Sequence, residues 1–476
     1  MARRQAFAMC LLLAATLVPI SRLCLSSDSR SARSGAMTPE QRVRILKEHP
    51  DVFWFVRPEG YLRANPSGPG IGRDQAIMMK RSGRKVLLPK TPDVPATSPK
   101  ASGELPYIGV EACAECHRDQ YHGFLRTAHH RTSQEASQQS ILGGFDEGRN
   151  QLKTGDPGLF FRMEKKGNEF YQRLFVEHEG RTYQHSQRMD LVTGSGNHGQ
   201  SYLYWQGDEL YQMPVSYFRE IDRWVNSPAY WDGTADFARP IRARCLDCHA
   251  TYFETVVGSV NQYRKDAYVL GVSCERCHGP GRAHAASPGR SGEGQSLPIL
   301  HPGRFSRDRL IELCAQCHSG VGIVVRPSFS YRPGEPLNDY LQLDRSGKTI
   351  EGGVHTDDQL ARLELSRCFR ESPTMTCITC HDPHRQERGN RLLFSNRCRR
   401  CHEPRHCGMA HEIGPDIGQN CIDCHMLSQR DRHLKMQTAG RRFSPLLRDH
   451  FIARWPRVSQ RFLEELRAKA GSAPSR

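Results

Sequence analysis

The sequence predicts a mainly α-helical fold with extensive loops and one small antiparallel β-rich insert. Apolar residues are 37% of the 476 residues, which is low for a globular chain of this length. A short cysteine–histidine motif occurs six times in the 181 residues from Cys245 to His425, about 30 residues per copy, which is too few for a layered domain around each. A preceding stretch of more than 120 residues lacks the motif and is rich in aromatic and β-branched residues.

The N-terminal part of the chain is predicted to be an export signal followed by a linker. Arg3 and Arg4 precede an apolar run over 6–20, which is short for a membrane span, and serine-rich sequence follows it. We interpret residues 1–25 as a signal peptide; a short buried helix and an uncleaved anchor are the alternatives. Residues 26–106 are predicted to form a leader and a Pro-rich linker, with one helix over 38–49.

Fourteen of the 18 cysteines form seven pairs with two residues between them, and a histidine follows each pair directly. The seven motifs are Cys113/Cys116/His117, Cys245/Cys248/His249, Cys274/Cys277/His278, Cys314/Cys317/His318, Cys377/Cys380/His381, Cys398/Cys401/His402 and Cys421/Cys424/His425, numbered motif 1 to motif 7 in chain order. Of the other four cysteines, Cys10 and Cys24 lie in or near the export signal, and Cys368 and Cys407 are either free or paired with each other.

This spacing has a specific chemical use. Two thiols separated by two residues can add to the two vinyl groups of haem, and the next residue then places an imidazole against the iron. Zinc knuckles are used two at a time and need no histidine at the fifth position, and a thioredoxin-like redox pair occurs once, in a βαβ setting. The motifs therefore predict seven covalently attached haem c groups. Such attachment requires export, so we expect a periplasmic or exported bacterial protein.

The motifs divide the rest of the chain unevenly. Residues 107–135 are predicted to be the first haem-binding segment, 136–240 the β-rich insert, 241–452 a six-haem domain, and 453–476 a C-terminal helix and tail with its helix over 459–470. Within the insert, strands are predicted over 159–163, 169–176, 181–185, 201–205 and 209–215, with turns near Gly167, Gly180 and Gly207.

Several stretches resemble a known family. Residues 107–117 (YIGVEACAECH), together with Thr127-Ala128-His129, resemble the opening of the cytochrome c-552/c-554-like multihaem family. Residues 274–284 (CERCHGPGRAH), 377–384 (CITCHDPH) and 421–426 (CIDCHM) are similar to motifs that recur in multihaem cytochromes. The resemblance covers roughly 107–452 and implies a multihaem cytochrome c architecture in which the haems form the core.

Each haem iron has a second axial position, and 15 of the 22 histidines lie outside the motifs. His284 and His384 follow motif histidines closely, and in the resembling proteins such residues ligate a neighbouring haem, because a short loop cannot reach the far face of its own ring. His129 matches the family pattern. The candidate distal ligands are His129 (with His130 as substitute), His284, His384, His411 and His450; weaker candidates are His198, His355, His406, His433 and Met409.

Two functions are consistent with these motifs. The first is electron transfer through closely spaced haems. The second is a multihaem oxidoreductase in which one open-coordinate haem acts on a small nitrogen or sulfur oxyanion. The sequence contains no Cys-Xaa-Xaa-Cys-Lys motif, which argues against one type of nitrite reductase. No catalytic residue is predicted. A substrate lid could come from His198, Tyr202, Tyr204 and Tyr211, but we expect these aromatic residues to form the core of the insert.

The net charge of +16 does not indicate a nucleic-acid-binding protein, because the basic residues are scattered along the chain. Haem propionates would offset much of this charge. The expected partners are redox proteins: donor or acceptor cytochromes, a quinol dehydrogenase or a reductase. Membrane association is compatible with the sequence but is not required by it.

Overall fold

The computed structural model describes residues 75–78, 85–88, 105–178, 180–286, 299–320, 322–343 and 353–471. The predicted signal peptide, the predicted helix over 38–49 and most of the predicted linker lie outside these residues. Within the described part of the chain, no helix combines the length and the apolar character needed to cross a bilayer.

The described chain alternates short helices with short strands. The strands are β1 (Gln75–Met78), β2 (Lys85–Leu88), β3 (Ser133–Glu135), β4 (Gln151–Lys153), β5 (Leu159–Lys166), β6 (Glu169–His178), β7 (Arg181–Arg188), β8 (Leu191–Thr193), β9 (Gly199–Gln206), β10 (Glu209–Gln212), β11 (Val215–Phe218), β12 (Arg223–Asn226), β13 (Ala235–Asp236), β14 (Arg239–Pro240), β15 (Ala250–Thr255), β16 (Tyr263–Leu270), β17 (Gly322–Val324), β18 (Leu341–Leu343), β19 (Ser428–Arg430), β20 (Met436–Thr438), β21 (Arg441–Phe443) and β22 (Leu446–Arg448). The α-helices are α1 (Arg118–Phe124), α2 (Ala243–His249), α3 (Cys274–His278), α4 (Arg282–Ala285), α5 (Arg307–His318), α6 (Gln359–Glu364), α7 (Arg367–Glu371), α8 (Cys377–Cys380), α9 (Arg391–Cys398), α10 (Ala410–Ile413), α11 (Cys421–His425) and α12 (Pro456–Gly471).

The insert contains two antiparallel sheets. One has the strand order β4-β5-β6-β7. The other has the order β12-β11-β9-β10-β14; its strand β9 also pairs with β8, and β8 pairs in turn with β3. The predicted strands correspond to β5, β6, β7 and β9. The segment predicted as one strand over 209–215 is divided into β10 and β11, and Pro214, which has no N–H to donate to a ladder, lies at the break.

Side chains fill the interior of the insert. Phe161, Tyr202 and Tyr204 are at most 1% exposed, and they belong to one hydrophobic cluster with Tyr211 and Trp224. The tyrosines proposed above as lid residues are therefore part of the sheet core, which is the alternative that the sequence favoured. This part of the molecule has a conventional hydrophobic core of its own.

The prediction of a mainly α-helical fold is wrong. Only 29% of the structure is helical and 27% is strand. Strands extend beyond the insert into the motif-rich region, where four two-stranded antiparallel pairs occur: β15–β16, β17–β18, β19–β22 and β20–β21. The physical reason is that the motif helices are mostly only one or two turns long, and the chain between them satisfies its backbone groups by hairpin pairing.

Candidate functional site

Six of the seven motifs lie on or at the end of short helices, and motif 1 begins at Cys113, the last residue of a 3-10 turn at Glu111–Cys113. Several of these helices begin at a capping side chain: Ser273 accepts a hydrogen bond from the Glu275 N–H, Asn390 from the Leu393 N–H and Asn420 from the Asp423 N–H. A helical turn places residues three apart on one face. The two thiols of a helical motif consequently point the same way, and the histidine follows them.

The motif helices contact one another in a series. Helix α2 contacts α5, α5 contacts α8, α8 contacts α9, and α9 contacts α11. These contacts connect motif 2 to motif 4, and then motifs 4, 5, 6 and 7 in order. The thiols of Cys248 and Cys317 are hydrogen-bonded across the first of these contacts, and those of Cys314 and Cys377 across the second.

Motif 1 contacts motif 3, and motif 3 connects both of them to the series at motif 4. The Glu275 carboxylate accepts hydrogen bonds from the backbone N–H groups of Ile108 at 3.0 Å and Gly109 at 2.9 Å, which brings the chain before motif 1 against helix α3. The thiols of Cys113 and Cys274 are hydrogen-bonded to each other at this contact. Cys277 of motif 3 lies close enough to Cys314 of motif 4 to interact with it electrostatically. All seven motifs therefore form one connected group.

Two of the predicted haem-binding cysteines lie at the surface instead of in the interior. Cys116 of motif 1 and Cys401 of motif 6 are exposed, whereas the other twelve motif cysteines are partly buried. The expectation that the haems form the core of the molecule stays a prediction. The exposure of Cys116 follows from the packing around motif 1. Glu275 holds the chain before the motif against α3 by a hydrogen bond, so the Cys113 thiol contacts that of Cys274. Cys116 lies in the following turn and faces solvent. Haem attachment at both cysteines stays a prediction.

Four motif histidines each have a second histidine ring opposite them. The ring centres are 6.4 Å apart for His117 and His284, 6.1 Å for His318 and His129, 6.2 Å for His278 and His384, and 6.1 Å for His381 and His450. A metal–imidazole nitrogen bond is about 2 Å long and the nitrogen lies about 1 Å from its ring centre, so two imidazoles on opposite sides of one iron have centres about 6 Å apart. The observed separations fit that requirement.

These partners come from elsewhere in the sequence. His284 follows motif 3 but faces motif 1, and His384 follows motif 5 but faces motif 3. This is the arrangement that the resemblance implies, in which such a histidine serves a neighbouring haem. The ligation itself stays a prediction.

Several motif histidines are oriented through Nδ1. Nδ1 of His249 lies 3.0 Å from the Thr132 hydroxyl, that of His278 lies 2.8 Å from the Leu300 carbonyl, and that of His425 lies 2.9 Å from the Ala453 carbonyl. A hydrogen bond at Nδ1 fixes the ring and leaves Nε2 as the metal ligand.

Burial favours the neutral form of several of the facing imidazoles. It lowers the pKa of both His318 and His450 to about 4, and the neighbouring histidines add to the effect. Burial lowers the pKa of His129 as well. The Nδ1 atoms of His284 and His450 are buried without a hydrogen-bond partner among the described residues, so each ring has a nitrogen available to a metal. Neutral imidazole is the form that binds iron.

A buried ion pair holds the segment that carries His450. Arg362 donates to Asp449 from Nε to Oδ1 at 2.9 Å and from Nη2 to Oδ2 at 2.6 Å, and the side chains are 4% and 0% exposed. The Ser366 hydroxyl donates to the carbonyl of His450. This pair was not predicted from the sequence, although Asp449 directly precedes a candidate ligand.

Two glycines permit close approaches at the facing histidines. A Cβ on Gly123 of α1 would lie 2.6 Å from the carbonyl oxygen of His384, and a Cβ on Gly271 would lie 2.3 Å from that of His130. Gly271 also has a positive φ of 65°, which favours glycine. The backbone near His129 and His384 therefore packs so closely against these two glycines that no side chain would fit at either position.

The remaining predicted residues are arranged differently. His411 is exposed and faces no motif histidine. Among the described histidines, none makes a ring contact with His249, His402 or His425.

His355 and His433 face each other with ring centres 5.4 Å apart, although neither belongs to a motif. The thiols of Cys368 and Cys407 are free, so these residues do not form a disulfide with each other.

The pairing of His355 with His433 was not predicted from the sequence. His355 Nδ1 lies 2.6 Å from the Asp357 carboxylate. Although burial pushes its pKa down, Asp357 raises the pKa of His355 overall. Both residues were among the weaker candidates in the sequence.

Parts of the sequence are similar to known proteins. Residues 112–146 and 198–279 match the family model described as cytochrome c554 and c-prime. The C-type polyheme cytochrome OmcC of Geobacter sulfurreducens is 32% identical over 163 residues, which are 29% of this chain and 20% of that protein. The chain is a multihaem c-type cytochrome. Cytochromes of this class carry covalently bound haem c, and the thiol pairs and facing imidazoles of the structure fit that group.

Two more matches cover longer parts of the cytochrome. The dissimilatory sulfite reductase MccA of Wolinella succinogenes is 22% identical over 388 residues, 70% of this chain and 50% of that protein. The solved structure of the outer cell wall cytochrome OcwA is 17% identical, with a TM-score of 0.47, over 75% of this chain and 82% of that one. The chain spans half or less of the length of the curated relatives it matches.

Proposed function

We propose that this cytochrome is an exported electron-transfer protein that binds seven haem c groups, one at each motif. The observation that carries the proposal is the connected series of motifs. Because the motif helices contact one another in turn, groups attached to them would be neighbours. Haem iron supplies one-electron chemistry by changing between its ferric and ferrous states.

The facing imidazoles support electron transfer over catalysis at four motifs. A histidine on each side of the iron leaves no position for a substrate. His129, His284, His384 and His450 are partly buried. Close backbone packing against Gly271 and Gly123 constrains the segments of His129 and His384, and the Arg362–Asp449 ion pair holds the segment of His450, so the geometry of these three would change little between redox states. Rigid ligands lower the structural rearrangement that accompanies each electron.

Export and partners follow from the chemistry of attachment. Haem c is attached to an exported, reduced chain, and the apolar run over 6–20 is the proposed signal. The proposed partners are redox proteins that donate electrons to one exposed motif and accept them from another.

The haem count is tested by intact mass spectrometry of the holoprotein. Seven haems add roughly 4.3 kDa to the mature chain, at about 616 Da each. The variant Cys421→Ser/Cys424→Ser should lack one haem, whereas the control Cys368→Ser should keep all seven. A wild-type gain that corresponds to fewer than seven haems contradicts the proposed count.

Electron transfer is tested by reductive titration of the same holoprotein. Every haem should be reduced by dithionite and reoxidised by ferricyanide through several cycles without loss of absorbance. A fraction of haem that cannot be cycled, or that is reoxidised only when a substrate is added, would contradict a simple carrier.

One observation favours a second candidate function, an oxidoreductase with one open iron. His249 is oriented by Thr132, yet no described histidine ring lies opposite it. His402 and His425 also face no described histidine ring, so one of motifs 2, 6 and 7 is the proposed place for an iron with an exchangeable ligand. The match to a protein named dissimilatory sulfite reductase adds sulfite to the small oxyanions worth testing.

This second function is tested by optical spectra of the oxidised holoprotein with sulfite, nitrite, hydroxylamine or cyanide. An open iron predicts a high-spin band that shifts on addition of ligand, and turnover of at least one of the natural ligands with a reduced viologen. A wholly low-spin protein that binds none of the four would refute it.

A further inference from the structure

The seven motifs differ in the two residues between their cysteines and in how exposed those residues are. In motifs 2, 3 and 4 these spacer residues are mostly buried: Leu246, Glu275, Arg276, Ala315 and Gln316 are each at most 7% exposed. In motif 6 both spacer residues, Arg399 and Arg400, are exposed, as are Cys401 and His402. Motif 6 is also the one motif in the sequence with two cationic spacers.

The charges of Arg399 and Arg400 are not neutralised locally. Nearby arginines on and after α9 have carboxylate partners: Arg391 pairs with Asp423, Arg397 with Glu387 and Arg405 with Glu403. In contrast, Arg399 donates to the neutral side chain of Asn396, and no ion pair with a described carboxylate involves Arg399 or Arg400. Two unmatched positive charges therefore lie on this surface.

An apolar residue completes the surface. Spacings of four and then three residues place Leu392, Asn396 and Arg399 on the same side of α9, with Arg399 directly after its last residue. Leu392 is 49% exposed. We call the surface formed by Leu392, Asn396, Arg399, Arg400 and Cys401 the motif-6 face. A small apolar patch beside unpaired charge is typical of weak, transient interfaces between redox proteins.

The other exposed motif has the opposite charge. Around motif 1, Glu111, Glu115 and Asp119 are exposed, with two nearby cations, Arg118 and Arg126. Motif 6 contacts motifs 5 and 7 through α8 and α11, whereas motif 1 lies next to motif 3. The two exposed motifs thus present surfaces of opposite sign.

We propose that the motif-6 face is the docking site for an acidic redox protein. This inference rests on the proposed electron-transfer function and adds a position and a partner chemistry to it. Arg399 and Arg400 attract an acidic surface, Leu392 makes the apolar contact, and the electron then crosses at the most exposed motif. No covalent step is involved; one electron passes from one iron to the other in either direction.

Stopped-flow oxidation of the reduced holoprotein tests the proposal. Two acceptors are used at several ionic strengths: ferric cytochrome b5, which is acidic, and ferric mitochondrial cytochrome c, which is basic. For the acidic acceptor, the bimolecular rate constant should fall as salt increases, and Arg399→Gln/Arg400→Gln should lower it about fivefold at low salt and flatten its salt dependence. The control Arg118→Gln/Arg126→Gln removes the same total charge near motif 1 and should change it less than twofold.

The outcomes separate the possible failures. If both double variants slow the acidic acceptor equally, only total charge matters and the motif-6 face is not the docking site. If the motif-6 variant leaves the rate constant unchanged but shifts a reduction potential, the two guanidinium groups interact with a propionate, and the docking proposal is overturned. If neither acceptor oxidises the holoprotein, the underlying electron-transfer function fails. Haem content by mass confirms that each variant is intact.

Discussion

Replacing Arg362 by leucine would test the buried ion pair next to His450. The pair with Asp449 is almost wholly inaccessible to solvent. Removing one member of a buried pair costs about 3–5 kcal/mol, because the remaining charge stays desolvated. Gln429 and the backbone N–H of Phe451 still donate to the Asp449 carboxylate, each at 2.9 Å. We therefore expect a loss near the lower end of the range, about 3 kcal/mol.

The assay is guanidinium chloride unfolding of the holoprotein, followed by far-UV circular dichroism. The matched control is Arg362→Leu/Asp449→Leu, which leaves no buried charge and should recover most of the lost free energy of unfolding. A second readout is the spin state, because a displaced His450 should leave one additional high-spin ferric haem. A single variant that loses less than about 1 kcal/mol, or a double variant that is no more stable than the single, would refute this reasoning.

Three further predictions concern histidines and their surroundings. His284→Ala should convert one low-spin ferric haem to high spin in the EPR spectrum, whereas the exposed control His411→Ala should leave the spectrum unchanged. Gly123→Ala should cost about 1–3 kcal/mol and loosen the His384 loop, because the new Cβ would meet that loop's backbone; thermal unfolding and the same EPR signal measure both effects. Burial lowers the pKa of His198 to about 4, so the unfolded state binds more protons between about pH 4 and 6.5, and stability falls as the pH decreases through that window. His198→Gln should flatten this pH dependence in melts at pH 5 and pH 7, and an unchanged slope would contradict it.

The motif residues could be predicted because their chemistry is local. Two thiols and an imidazole within five residues need one helical turn and nothing from the rest of the chain. The strands of the insert were predictable for a similar reason, since β5 and β6 are joined by a tight turn in which Gly167 has a φ of 59°. The exposure of Cys116 was not predictable in this way, because it depends on which distant segments pack against motif 1.

The fold class and the histidine pairs depend on contacts that are distant in sequence. His318 faces His129, which comes before the whole insert, and the ion pair beside His450 joins Arg362 to Asp449 across 87 residues. Strands β17 to β22 of the motif-rich region are only three residues long, too short for a clear alternating pattern, and β19 pairs with β22 across an intervening hairpin. No local pattern in the sequence specifies such partners.

The central claim is that facing imidazoles provide both axial ligands at four motifs. Spin-quantified EPR of the fully oxidised holoprotein tests it most directly. We expect at least four low-spin ferric haems with bis-histidine g-values. One of them should disappear in each of the variants His129→Ala, His284→Ala, His384→Ala and His450→Ala. Fewer than four low-spin haems in the wild type, or variants that keep the full low-spin signal, would contradict the claim.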